Sequence, residues 1–365
     1  MKLCLTFFFL LLSNFSFANM ASPLIEGTRS SAAISSKDID ILREKIVVII
    51  GEDFKTALFE VEYTIKTNLE GKQIPLLFHA EDFKEKFTLL IDGKPGELLP
   101  MPGFYTTDKD SPFKGFSESF RSPFREGESE TITIYWSENW GHGYRLNDLH
   151  YFEADLSPGI HKIRISYVAD VWYDRSGWVN EYSFRYSLSP AKHWKSFGGL
   201  EIEVRNPGFE KKLHSNLGAP AEGNLDSVAA WRFESIPQNV FQISYTPKIG
   251  GMASILIKIG PFWMAVAASL LLLILNVLLI KWYRTKLQSK YSPAVIIGSI
   301  LVPFLFCLVY IFSFELIDSL IGEEAGRYHG YTFLIVFLYP FILPFYWIAM
   351  WLLDRRFKRK VVKES

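Results

Sequence analysis

Apolar and polar residues alternate along "ALFEVEYTIKT" (57–67). Ala57, Phe59, Val61, Tyr63 and Ile65 share one face, with Glu60, Glu62, Thr64 and Lys66 on the other. Such a period of two predicts a strand with one buried side. The same pattern recurs in "ETITIYW" (130–136), "GLEIEV" (199–204) and "NVFQISY" (239–245), and less regularly in "EKIVVII", "IPLLFHA", "KFTLLID", "KIRISYV", "EYSFRYSL" and "VAAWRFE". Turn residues fall between the runs: Asp92-Gly93, Ser157-Pro158-Gly159 and Asn206-Pro207-Gly208. About ten short strands without an amphipathic helix predict a mainly β domain, one elaborated β-sandwich or two. A seam between two would fall in 100–130, a stretch rich in Pro, Gly and Ser.

The pattern changes after residue 250. Residues 251–261 read as a connector. Three uncharged apolar runs follow, at 262–280, 292–314 and 331–353, each long enough to cross the roughly 30 Å hydrocarbon layer. They are expected to be transmembrane helices. The loop at 281–291 and the tail at 354–365 are basic, whereas the loop at 315–330 carries four acids and one Arg. Short basic flanks stay in the cytoplasm, so the expected C-terminus is cytoplasmic and the 315–330 loop is outside. Residues 1–18 combine Lys2, a short apolar run and small residues at Ser16 and Ala18, as a removable signal peptide does. Both lines put residues 19–250 on the outer side, in the periplasm or the exterior of a bacterial inner (cytoplasmic) membrane.

Composition narrows the chemistry. Between residues 19 and 260 there is no cysteine, which excludes disulfides, zinc–thiolate sites and thiol catalysis there. Lysine and arginine balance aspartate and glutamate at 39 each over the chain, but the basic excess from residue 261 onward leaves 19–260 mildly acidic. Nucleic acid is therefore an unsuitable partner. No Asn-x-Ser/Thr acceptor occurs in 19–260, in keeping with a bacterial envelope protein.

"SENWGHGYRLNDLHYFEADL" (137–156) concentrates two histidines, four carboxylates and four aromatic rings. Its first part reads as a loop, and "YFEADLSPGIHKIRISYVAD" as strand, tight turn, strand. His142 and His150 are eight apart, and no His-x-His or His-x-x-x-His pair occurs, so Glu138, Asp148 and Glu153 could complete a metal site only if the loop folded back. No cofactor or metal is expected, and no P-loop, dinucleotide fingerprint or nucleophile elbow is present. The rings make the better case. Trp136, Trp140, His142, Tyr144, His150, Trp172 and Trp178 are the candidate binding residues, with Trp140 and Tyr144 as first contacts.

The start "ANMASPLIEGTRSSAAISSKDIDILREKIVV" resembles the opening of a domain-of-unknown-function family of exported bacterial proteins. The residues that carry the likeness are Ala18-Asn19, Gly27, Ser36-Lys37-Asp38-Ile39 and Glu44. "YSLSPAKHWKSFGGLEIEV" is similar to that family's closing motif, through Tyr186, Leu188, Ala191, Trp194 and Leu200. The resemblance implies an exported β architecture and no activity.

These readings favour binding over catalysis: an envelope protein, held in the lipid bilayer, whose β-rich domain binds another envelope protein or a glycan. Two rivals remain at this level. One is a metal- or carboxylate-dependent hydrolase using the 137–155 loop, and the other is a membrane subunit of a larger complex.

Overall fold

The computed structural model describes residues 39–99, 121–122, 131–137, 140–188, 195–287, 292–326, 329 and 331–364. The signal peptide, most of the 100–130 seam, and Asn19, Gly27, Ser36, Lys37, Asp38, Ala191 and Trp194 of the resemblance lie outside them. The chain divides into two compact units, one mostly 39–172 with 182–245, the other 173–181 with 246–365.

The first unit is built from strands β1 (Ile39–Ile50), β2 (Thr56–Thr67), β3 (Gly71–His79), β4 (Phe83–Ile91), β5 (Lys94–Pro95), β6 (Arg121–Ser122), β7 (Thr131–Ser137), β8 (Trp140–Arg145), β9 (Leu149–Leu156) and β10 (Gly159–Asp170). After β11 (Trp172–Asp174) come β12 (Glu181–Ser187), β13 (Ser196–Phe197), β14 (Leu200–Arg205), β15 (His214–Ser215), β16 (Glu222–Gly223), β17 (Val228–Phe233) and β18 (Val240–Tyr245). The largest sheet runs β16-β17-β14-β1-β2-β10-β4-β5, with β13 also pairing β1. The smaller ones are β11-β12-β18-β15, β3-β9 and β6-β7-β8. The fold is thus β-rich with mixed sheets, since β1 pairs β14 and β13 in parallel and β2 antiparallel.

Alternation decides which face is buried. On β2, Ala57, Phe59, Val61, Tyr63 and Ile65 are all buried, as are Ile163, Ile165, Tyr167 and Ala169 on β10. They join one core with Leu76 and Phe78 of β3, Phe152 and Ala154 of β9, Phe184 and Tyr186 of β12, and Phe241 and Ile243 of β18. Phe59 and Tyr167 stack with ring centroids 5.1 Å apart.

β1 changes phase part-way. Ile39 and Ile41 are buried, Leu42 and Arg43 are exposed, and the inward positions then become Glu44, Ile46, Val48 and Ile50. A register shift between Ile41 and Arg43 causes this, because one extra residue moves every later side chain to the opposite face. Gly198 permits the tight pairing there, since a Cβ would stand 2.5 Å from the Leu42 carbonyl oxygen.

Two local expectations are corrected. The stretch expected as a loop at 137–148 is not one over its described part: Trp140–Arg145 is a strand that pairs with Thr131–Ser137, followed by a 3₁₀ turn at Leu146–Asp148. Nor do β9 and β10 form a hairpin about Ser157-Pro158-Gly159. β9 pairs β3 and β10 pairs β2 and β4, so the turn carries the chain from one sheet into another. Gly159 has φ +150° at that corner.

The second unit contains α1 (Gly251–Thr285), α2 (Pro293–Ile321) and α3 (Tyr339–Glu364), all long and apolar enough to cross a membrane. The 251–261 connector is itself helical. The break comes at Gly260 (φ 76°, ψ 152°), where Pro261 lacks the N–H that would continue the ladder. The third apolar run begins as a 3₁₀ segment, Thr332–Leu338, before α3 takes over next to Pro340. Asn276 donates to the Tyr346 hydroxyl at 3.1 Å, and a Cβ on Gly298 would sit 2.2 Å from the Asn276 side-chain amide. That small residue lets α2 approach α1 closely.

Candidate functional site

The outward face of the large sheet is not flat. Strand twist leaves a cleft of about 420 Å³ lined by Lys45 and Val47 of β1, Glu60 and Glu62 of β2, Thr88 and Leu90 of β4, Arg164 and Ser166 of β10, and Arg205 of β14. Register explains the grouping. Lys45 stands opposite Glu62, Glu62 opposite Arg164 and Arg164 opposite Leu90; Val47, Glu60, Ser166 and Thr88 form the next row.

Charges of both signs are held in place. Lys162 approaches Glu62 at 3.1 Å, and Arg164 also pairs with it. Lys45 bridges Glu201 and Glu203 at 3.2 and 3.3 Å, and Arg205 reaches Glu203 at 2.6 Å. The Thr88 and Ser166 hydroxyls are 2.6 Å apart. Despite some burial, the Arg164 and Lys162 contacts hold the Glu62 carboxyl below its usual range. Exposed pairs of this kind contribute little stability, about 0–1 kcal/mol each. What they supply is an ordered polar surface with Val47 at its floor.

Two polar clusters lie inside the unit. Tyr186 donates to Glu44 at 2.9 Å, and its oxygen is 2.8 Å from that of Tyr63. Burial pushes the Glu44 carboxyl up to about 7, only partly offset by hydrogen bonds from Tyr186 and Tyr63. Elsewhere Arg185 contacts Asp82 at 2.7 Å and Glu81 at 3.3 Å, both buried, while its guanidinium lies 4.0 Å from the Trp172 ring centroid. Asp148 accepts from the Phe83 amide at 3.2 Å and stands 4.0 Å from His79. Among the described residues no group of three His, Cys, Asp or Glu side chains could hold a metal ion.

The aromatic candidates separate. His150 is half-buried against the edge of the core, 4.0 Å from the Phe87 ring and 4.6 Å from Phe83, and burial lowers its imidazole to about 4. Trp172 covers Arg185. Trp178 belongs to the second unit, where it stacks on Phe314 at 5.3 Å and meets His329 at 4.6 Å. Trp140, His142 and Tyr144 fall on β8, with His142 opposite Ile134 and Tyr144 opposite Ile132, and Trp136 falls at the register shift of β7. Their side chains lie outside the described residues. Within the first unit His150 and Trp172 pack against different neighbours, and Trp178 belongs to the second unit.

The cleft residues escaped sequence reading for a specific reason. Glu60 and Glu62 were legible as outward, but their neighbours come from strands up to about 145 positions away, and only the sheet order brings them together. The adjacent acids in "HAEDF" (79–83) were the available signal for the Arg185 cluster.

The structure defines a β-rich unit joined to three helices able to cross a membrane. No family model matches the chain, and no curated protein matches it. Solved structures resemble it only distantly. A Legionella pneumophila protein with a provisional nutrient-binding description is 13% identical over 63% of this chain and 72% of that one, with a TM-score of 0.39. Leukotriene A4 hydrolase of Saccharomyces cerevisiae is 13% identical over 62% of this chain, with a TM-score of 0.33. The match spans only 33% of that enzyme's length. An M1 zinc metallopeptidase of Deinococcus radiodurans is 7% identical over 58% of this chain and 40% of that one, with a TM-score of 0.27. None of these assigns an activity.

Proposed function

We propose that this chain is a membrane-anchored protein of the bacterial envelope whose sandwich-like β-rich unit, on the periplasmic or outer side, binds another envelope component. The observation that carries the reading is the cleft on the outward sheet face, lined by Glu60 and ordered by the ion pairs of the neighbouring Glu62. A cleft with an apolar floor, paired hydroxyls and fixed charges of both signs suits a polar partner. The three apolar helices would tether the β-rich unit to the membrane, with their basic ends in the cytoplasm. The exported family resembled by the sequence supports the same placement.

A photoreactive residue in place of Glu60, in the full-length chain in intact cells, tests this. One dominant adduct is expected, absent when the same group replaces Asp226 and lost when Glu62→Gln and Arg164→Gln are added. Equal labelling from both positions, or none from Glu60, would remove the cleft from consideration.

A further inference from the structure

Arg284 of α1 and Asp354 of α3 are both buried and pair in a fork, Nε to Oδ1 at 2.7 Å and a terminal nitrogen to Oδ2 at 2.5 Å. They lie at one end of the helix unit beside its small core, where Ile280, Ala294, Val295 and Met350 are buried and Tyr283, Leu353 and Phe357 pack around them. A bidentate pair fixes both distance and orientation, so it sets how α1 and α3 meet at this end.

The pair has an electrostatic consequence. It neutralises Asp354, the one acid between Tyr339 and Lys363, while α1 and the first half of α2 carry none between Gly251 and Tyr310. Around it Lys281 of α1, Lys286 at its C-terminal cap, and Arg355, Arg356, Lys358 and Arg359 of α3 are exposed. Arg355 sits 3.8 Å over the Trp351 ring, which anchors its stem where an apolar helix surface gives way to a charged one. Two basic clusters about 70 positions apart are thereby gathered at one end with no competing carboxylate among the described side chains.

We propose that the Arg284–Asp354 clamp assembles a basic collar that binds the phosphate headgroups of anionic lipids at this end of the helices. Clusters of lysine and arginine beside a membrane span attract anionic leaflet lipids, and arginine forks match phosphate oxygens. Both clusters are needed, because each alone presents its cations to one side of the bundle.

The test uses the full-length protein in vesicles of phosphatidylcholine alone or mixed with phosphatidylglycerol, with retained lipid read by native mass spectrometry after extraction. The wild type should retain phosphatidylglycerol over phosphatidylcholine at least tenfold, less so at high salt. Replacing Arg355, Arg356, Lys358 and Arg359 by Gln together should abolish the preference. Asp354→Arg adds a positive charge yet breaks the clamp, so retention should fall. The exchange Arg284→Asp with Asp354→Arg restores the pair and should restore retention. Equal retention of the two lipids, an unchanged preference in the fourfold variant, or a gain in Asp354→Arg would each overturn the proposal. Should Asp354→Arg not fold, the exchange and fourfold variants decide it.

Discussion

The Tyr186 hydroxyl donates to the Glu44 carboxylate at 2.9 Å inside the core, joining residues 142 positions apart. Glu44 is also in parallel register with Leu200 of β14 and opposite Tyr63 of β2. A buried carboxyl held by two phenols is therefore the point where the first strand, its neighbours and the second sheet meet.

That carboxyl should make stability depend on pH. Burial raises it to about 7 from an ordinary 4.5, so between those values the folded chain holds a proton that the unfolded chain has lost. Stability from this group is complete below pH 4.5 and declines as pH rises through 7. The full effect is roughly 3 kcal/mol, since each tenfold gain in proton affinity on folding is worth about 1.4 kcal/mol. Glu44→Gln keeps an acceptor for Tyr186 and should remove that fall, read as denaturation midpoints at pH 5 and pH 8. An unchanged slope would contradict the assignment.

His150 should act in the opposite sense. Its imidazole is held down to about 4 by burial against Phe87 and Phe83, so the unfolded chain binds the proton first. Stability is then present above pH 6.5 and lost as pH falls through 4. His150→Phe should flatten the acid limb of the same denaturation profile and leave the Glu44 limb in place. An acid limb as steep as the wild type's would count against the burial argument.

Arg185 neutralises two buried carboxylates, so removing it should be costly. Arg185→Met keeps much of the stem over Trp172 but removes the guanidinium that pairs with Glu81 and Asp82. Breaking a buried pair from one side typically costs about 3–5 kcal/mol. Urea midpoints should show a loss of that order at pH 7. A loss under about 1 kcal/mol would mean that other partners carry these acids.

In the second unit, segment 173–181 closes on the turn after α2. The Asn180 amide donates to the Glu324 carbonyl at 2.8 Å and the Gly326 amide to the Trp178 carbonyl at 3.0 Å, with Val179 and Ala325 bridge-paired. Paired strand residues are close enough for a disulfide. Val179→Cys with Ala325→Cys, in a Cys307→Ser background, should cross-link under mild oxidant, visible as loss of free thiol. Adding Trp178→Ala, which removes the stack on Phe314 and His329, should slow the reaction several-fold. Failure of the pair to close would show that the segment does not rest there.

Local pattern was enough for most of the longer strands, for the buried faces of β2 and β10 and for the three apolar helices, because side-chain period and bilayer thickness are properties of short stretches. β2 and β10 bury the sides their alternation implies. Partnership could not be read that way. The turn at Ser157-Pro158-Gly159 has hairpin chemistry, yet it passes between sheets, since pairing depends on which distant strands compete for each edge. Glu44 looked like an ordinary polar start to β1, and only the phase change after Ile41 turns it inward. His150, Trp172 and Trp178 lie close along the chain but are claimed by three different packing environments. The cleft, the buried acids and the Arg284–Asp354 clamp join positions from about 20 to 160 apart, and contacts of that range exist only once the strands and helices have chosen their neighbours.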